Sequence, residues 1–259
     1  LPEAMAAKRQ LLDLQLRRCV ETKNFSELTM VLREAESMGA EEEMSQYAAA
    51  KTMLSQLKVK RLQEQSLQVL RAGAKDLESM VAVISIALRR DWDEVLAEGR
   101  ALAKGLIEKA KVEGDLQTIA KIWRLADKEG LRVIAASAAS AWEDKVTEAS
   151  KSADSLLLAK LCRAAALEGS GPLRKEAMEV MLAKLKKIEE AWDKTGKKDA
   201  RAGMQKMMKD IQDENALDSE IKGIIEAATH RAESREEKEM SAVREKLGAS
   251  KSDPEQVIE

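Results

Sequence analysis

Apolar residues recur along this chain at helical spacing, and the spacing itself repeats. Frames begun at Asn24, Asp76, Asp115 and Asp154 superimpose four segments. Four residues into each stand Leu28, Met80, Ile119 and Leu158. Seven residues in are Val31, Val83, Ile122 and Leu161, followed by Leu32, Ile84, Trp123 and Cys162. Eleven in, every frame has alanine: Ala35, Ala87, Ala126 and Ala165. Fifteen in come Gly39, Asp91, Gly130 and Gly169. These offsets place the apolar positions on one stripe of a helix. The Asn or Asp at the frame start predicts an N-cap, accepting a hydrogen bond from an orphan amide of the first turn. Alanine at the end of the stripe lets a neighbouring helix approach closely. Glycine at the fifteenth place predicts the helix end, because it takes the left-handed conformation without a Cβ penalty.

A second helix follows in each frame, such as 131–150 or 172–194, with Pro172 suited to a first helical turn. The unit is therefore a helical hairpin. Frames two to three and three to four are each 39 residues apart, and frames one to two are 52 apart, an insertion of 13. The insertion is placed in the second helix of the first unit. Residues 41–72 contain no proline or internal glycine and predict one long helix of roughly 45 Å that projects beyond the stack. A divergent fifth unit starting at Ala200 supplies Met204, Met207, Met208, Ile211 and Asn215. Residues 1–23 predict the second helix of a truncated preceding unit, 24–230 the repeat array, and 231–259 a charged helical tail that is disordered at its end. A first residue other than Met suggests a processed or truncated chain.

Composition agrees with this pattern. Charged residues make up 35% of the chain and aromatics 2%, with three prolines in 259 residues. The β-branched and aromatic residues that strands require are scarce, so the expected class is all-α, with about ten to eleven antiparallel helices stacked as hairpins and no strands. Forty-four Lys and Arg against 46 Asp and Glu give a net charge of −2, which offers no global attraction to nucleic acid or an anionic membrane. No apolar run approaches the roughly 20 residues of a transmembrane helix. Cys19 and Cys162 share no pairing or ligand spacing, so the expected setting is a reducing, intracellular one.

Period and hairpin grammar resemble the α-solenoid repeats, nearest to the HEAT and armadillo class, over about residues 24–230. The proline of the first HEAT helix and the Asp/Arg pair of the second do not recur here. Tetratricopeptide repeats are similar in plan but have a shorter period and a Trp, Gly, Tyr and Pro pattern that is missing. The resemblance implies stacked hairpins whose cores are continuous from unit to unit.

Chemistry-bearing residues are few. His230 is the single histidine, which excludes a multi-histidine metal site, and a catalytic triad would have to recruit this same residue, with nothing at a recognisable nucleophile turn. Gly169-Ser170-Gly171-Pro172 precedes a helix start, and Thr195-Gly196-Lys197-Lys198 has the GK pair of a phosphate loop without its strand. The first is already explained as an inter-helix turn. Asp91-Trp92-Asp93-Glu94 reads as acids favouring a helix start. Asp210, Asp213 and Glu214 lack calcium-loop spacing. Asn24-Phe25-Ser26 is a glycosylation sequon lying at a repeat start. Trp123 shares a stripe position and is expected in the core, and Trp142 and Trp192 are expected to pack between units. Trp92 is the candidate exposed anchor, since tryptophan is enriched among binding hot spots. Basic clusters at Lys58-Val59-Lys60-Arg61, Arg89-Arg90 and 184–187 lie among acids. Base-stacking aromatics are nearly absent, so nucleic acid is not expected as a partner.

The expected function is that of a non-catalytic scaffold subunit binding other proteins within a larger assembly, with Trp92, Lys58, Lys60 and Arg61 as candidate contacts and no cofactor or metal. An RNA-binding helical repeat is the first alternative; its charged positions should recur in register, and here only the apolar ones do. A lipid-associating amphipathic bundle is the second.

Overall fold

A computed structural model of the protein describes residues 2–72, 76–152, 154–195, 202–207, 209 and 219–251. The helices are α1 (Pro2–Thr22), α2 (Phe25–Ser37), α3 (Tyr47–Arg71), α4 (Leu77–Arg89), α5 (Asp93–Glu113), α6 (Leu116–Lys128), α7 (Arg132–Lys151), α8 (Ser155–Leu167), α9 (Gly171–Thr195), α10 (202–207) and α11 (Ser219–Lys251). Among the described residues there is no strand, so the fold is all-α. The chain divides into two compact units, 1–99 and 100–259, with the boundary inside α5.

The repeat is visible in the local geometry. The first helix of every frame, α2, α4, α6 and α8, has 13 residues. Each begins at its expected cap: Asn24 accepts from the Glu27 amide at 3.3 Å, Asp76 from Glu78 at 3.0 Å, Asp115 from Thr118 at 3.0 Å and Asp154 from Leu157 at 3.0 Å. Each ends on a left-handed residue, with φ of 59° at Gly39, 52° at Asp91, 71° at Gly130 and 66° at Gly169. The next amide then folds back onto the carbonyl of the frame's alanine: Ala40 to Ala35 at 3.2 Å, Trp92 to Ala87 at 2.9 Å, Leu131 to Ala126 at 2.8 Å and Ser170 to Ala165 at 2.8 Å. This is the bond of a Schellman turn, which satisfies a terminal carbonyl and reverses the chain. All four alanines are completely buried.

In residues 1–99, Leu12, Leu16 and Cys19 of α1 pack with Leu28 and Leu32 of α2 and with Met44 and Ala50 around the start of α3. Gly99 on α5 is a close-approach position, since a Cβ there would stand 2.5 Å from the Ile84 side chain of α4. In residues 100–259, Ile119 and Ile122 of α6, Trp142 and Val146 of α7, Leu158, Leu161 and Cys162 of α8, and Leu173 and Met181 of α9 are buried. Two buried polar groups tie this core together. The Trp142 indole donates to the Leu173 carbonyl at 3.2 Å, and the Ser170 hydroxyl donates to the Ala120 carbonyl at 3.2 Å. Buried donors need such partners, because an unmade bond costs more than a made one contributes.

The long helix is corrected. It begins at Tyr47, and residues 41–46 are turns, so α3 has 25 residues. At 1.5 Å per residue it is about 37 Å long. The 13 extra residues are therefore spread rather than confined to one helix. The α2–α3 connection runs over nine residues, 38–46, where the later hairpins use three (90–92, 129–131 and 168–170). The rest lengthens α3 and the link that follows it. Asp13 of α1 holds the enlarged turn: its carboxylate accepts from the Gln46 amide at 2.9 Å and from the Ser45 hydroxyl at 2.8 Å, and Arg9 pairs with Glu43. Gln46 makes no side-chain cap of its own, so Asp13 caps α3 from a different helix.

In the fifth unit Met204 and Met207 are buried in α10. Met208, Ile211 and Asn215 lie outside the described residues. Helix α11 is continuous from Ser219 to Lys251, with Ile225 and Ala228 buried near its start and 237–245 exposed. The terminal segment 252–259 lies outside the described residues.

Candidate protein-docking surface

The three basic candidates sit together on α3. Lys58, Lys60 and Arg61 are all exposed, and the Arg61 guanidinium lies 5.4 Å from the centre of the Phe25 ring. Helix α3 carries five Lys or Arg and one Glu, a net +4 within a chain of net −2. Between Ala50 and Leu67 none of its side chains is buried. Its packed side is formed by Ala50, Met53, Leu54 and Leu57 in the first half and by Leu67 and Leu70 at the end. A second apolar stripe faces outward. Ser55, Val59, Leu62, Ser66 and Val69 follow one another at alternating steps of four and three, with Val59, Leu62 and Val69 each 38–46% exposed. This stripe was missed by reasoning from the sequence. The signal was available: two apolar sets out of phase on a single helix cannot both face one core.

The exposed-anchor reading of Trp92 is corrected, for the side chain is 6% exposed. The cause is its place in the repeat, sixteen residues into its frame. Its counterparts Ala40, Leu131 and Ser170 are buried too, because the Schellman turn directs this residue inward. The Arg90 guanidinium lies over the indole, 5.4 Å from its centre. Trp142 is fully buried, whereas Trp123, expected in the core, is half-buried. The Trp192 side chain lies outside the described set.

The remaining chemical candidates are taken up by structure. Ser170 and Gly169 form a turn and the Ser170 hydroxyl is engaged, as described above. Asp93 and Glu94 lie in the first turn of α5. The Arg89 guanidinium donates to the Ser85 hydroxyl at 2.6 Å. The Cys19 thiol is buried 3.9 Å from the Glu27 carboxylate, and burial together with that negative charge pushes its pKa up, away from the nucleophilic thiolate. Cys162 is buried as a free thiol. His230 is exposed on α11. Residues 196–198 of the GK segment lie outside the described set, as do Asp210, Asp213 and Glu214. Among the described residues no group of three or more His, Cys, Asp or Glu is placed to hold a metal ion, and no helix is long and apolar enough to cross a membrane. An open groove of about 530 Å³ between α5 and α7 is floored by Ala136, Ser137, Ser140 and Ala141 and bridged by a Lys111–Asp144 ion pair at 2.6 Å.

These features define an all-α helical-repeat protein. No protein family and no curated protein matches the chain. A solved structure described as a circular tandem repeat protein with novel repeat topology and enhanced subunit contact surfaces is 17% identical, with a TM-score of 0.30. The match covers 95% of this chain and 66% of that one. At that score the likeness carries no weight, and the repeat rests on its own internal register.

Proposed function

We propose that this chain is a non-catalytic scaffold subunit that binds other proteins through its helical repeats, as part of a larger intracellular assembly. The observation that carries this reading is what the four frames have in common. They share caps, left-handed turns and buried alanines, all of which serve stacking, while no charged position beyond the cap recurs in all four frames; the arginine nine residues in, shared by Arg33, Arg124 and Arg163, gives way to Ser85 in the second. A repeat that specifies only its own packing leaves the exposed faces free to diverge toward protein partners. Two free buried thiols suit a reducing compartment. Affinity purification of the tagged chain from its native source, with and without nuclease, tests the proposal. Protein partners that survive nuclease support it. Loss of every partner with nuclease would replace it with an RNA-binding role.

A further inference from the structure

We infer that the outward face of α3 docks an acidic amphipathic helix, an inference that rests on the scaffold reading and adds the surface and partner chemistry. Three observations meet there. The stripe Ser55, Val59, Leu62, Ser66 and Val69 has the alternating four-and-three spacing of a coiled-coil seam, and it leaves three apolar side chains in water. Lys51 and Lys58, seven residues apart, run along one edge of it, in the flanking places where charge selects a partner. Lys60, one residue past Val59, falls at an outer position away from the seam and adds only to the charge of the helix. Among the described residues none of these three lysines has an ion-pair partner, although Lys51 stands 5.6 Å from the centre of the Tyr47 ring.

Charge decides among the possible occupants. A second copy would set one +4 helix against another, which like-charge repulsion disfavours. Single-stranded RNA would use the lysines but leave Val59, Leu62 and Val69 bare, and α3 has one aromatic residue, Tyr47, at its far end. A membrane surface would meet a stripe interrupted by Ser55 and Ser66 and free of tryptophan and phenylalanine. A helix with Leu or Ile along its own seam and Glu or Asp at its flanks satisfies the stripe together with Lys51 and Lys58.

The probe is a synthetic four-heptad peptide with leucine at its seam and glutamate at its flanks, labelled with fluorescein and titrated with the full chain by anisotropy. Controls are the same peptide with lysine flanks, labelled oligouridylate, and phosphatidylserine vesicles. The glutamate peptide should bind, weaken as salt rises, and lose at least about tenfold in affinity against K51E/K58E/K60E. The variant Leu62→Glu should weaken it as well. All four positions are exposed, and unchanged thermal unfolding verifies that the variants fold; Arg61 is left intact because it packs over Phe25. No binding by the glutamate peptide, equal binding by the lysine-flanked one, or undiminished binding by the charge-reversed variant overturns the inference. Preference for oligouridylate or vesicles over the peptide overturns it equally. Affinity purification with wild type and K51E/K58E/K60E separates its failure from that of the scaffold reading. Nuclease-resistant partners recovered equally by both leave the scaffold standing without this surface, and partners recovered by neither remove the scaffold reading itself.

Discussion

Asp91 holds a φ of 52° where three other frames place glycine. A left-handed L-residue costs about 1–2 kcal/mol, and glycine loses roughly 0.5–1 kcal/mol more chain entropy on folding, so the first effect wins by a small margin. Asp91→Gly should therefore raise the urea midpoint, and Gly130→Ala should lower it by a comparable amount. A further residue-scale expectation concerns Glu176, whose pKa is raised by burial, with Glu143 and Glu179 adding to the shift. A carboxyl that binds its proton more tightly when folded contributes a penalty once the pH exceeds its unfolded value of about 4.3, complete above its raised folded value. Glu176→Gln should raise the melting temperature at neutral pH, and the gain should disappear as the pH falls through the carboxylate range. The caps and turn glycines were legible in the sequence because each is fixed by local backbone chemistry. The burial of Trp92 was not, because the frame had been read only as far as the left-handed residue before it. Comparing Ala40, Leu131 and Ser170 across frames shows only small or apolar residues, a weak signal without the turn geometry.

The elements differ most where the repeat departs from its period. The nine-residue turn 38–46 has no counterpart in the other hairpins, and its only side-chain anchors named above, Asp13 and Arg9, come from α1. Asp13→Ala removes a capping acceptor, which costs about 1 kcal/mol. Hydrogen exchange should show the Gln46 amide losing protection while the α8 amides keep theirs. The sequence disclosed the size of the insertion because the flanking frames fix it by subtraction. Its distribution was hidden: Glu41, Glu42 and Glu43 are good helix formers with no proline or glycine beside them, and propensity alone extends the helix through them. Tertiary contacts prevail over that preference, since Met44 and Ala40 are buried against α1 and α2 and pull the segment out of helical geometry.

At the scale of the whole molecule, each of the two compact units holds buried residues of its own. Trp142→Ala removes a fully buried indole together with its hydrogen bond to the Leu173 carbonyl, a change worth about 3–5 kcal/mol. Exchange in 132–173 should accelerate strongly while the core of α1–α3 stays protected, since stability in repeat proteins is a sum over neighbours rather than a single global quantity. The all-α class and the hairpin period could be read directly from residue spacing. The division near residue 99 could not, because it falls inside α5, where helical periodicity runs on without interruption.

The capped junctions at Asp115 and Asp154 share the same pair of hydrogen bonds. In each, the frame-opening aspartate closes the preceding helix through its amide, onto Ala110 at 2.8 Å and onto Ala149 at 3.0 Å, and opens the next through its carboxylate. A stretch of 39 residues bounded by interchangeable ends is a cassette. Segment 115–153 can be copied in tandem with every new backbone junction capped as those at Asp115 and Asp154 are. Array length thus becomes a discrete variable, open to change by unequal recombination in an evolving gene or by deliberate duplication at the bench, in whole steps of 39 residues.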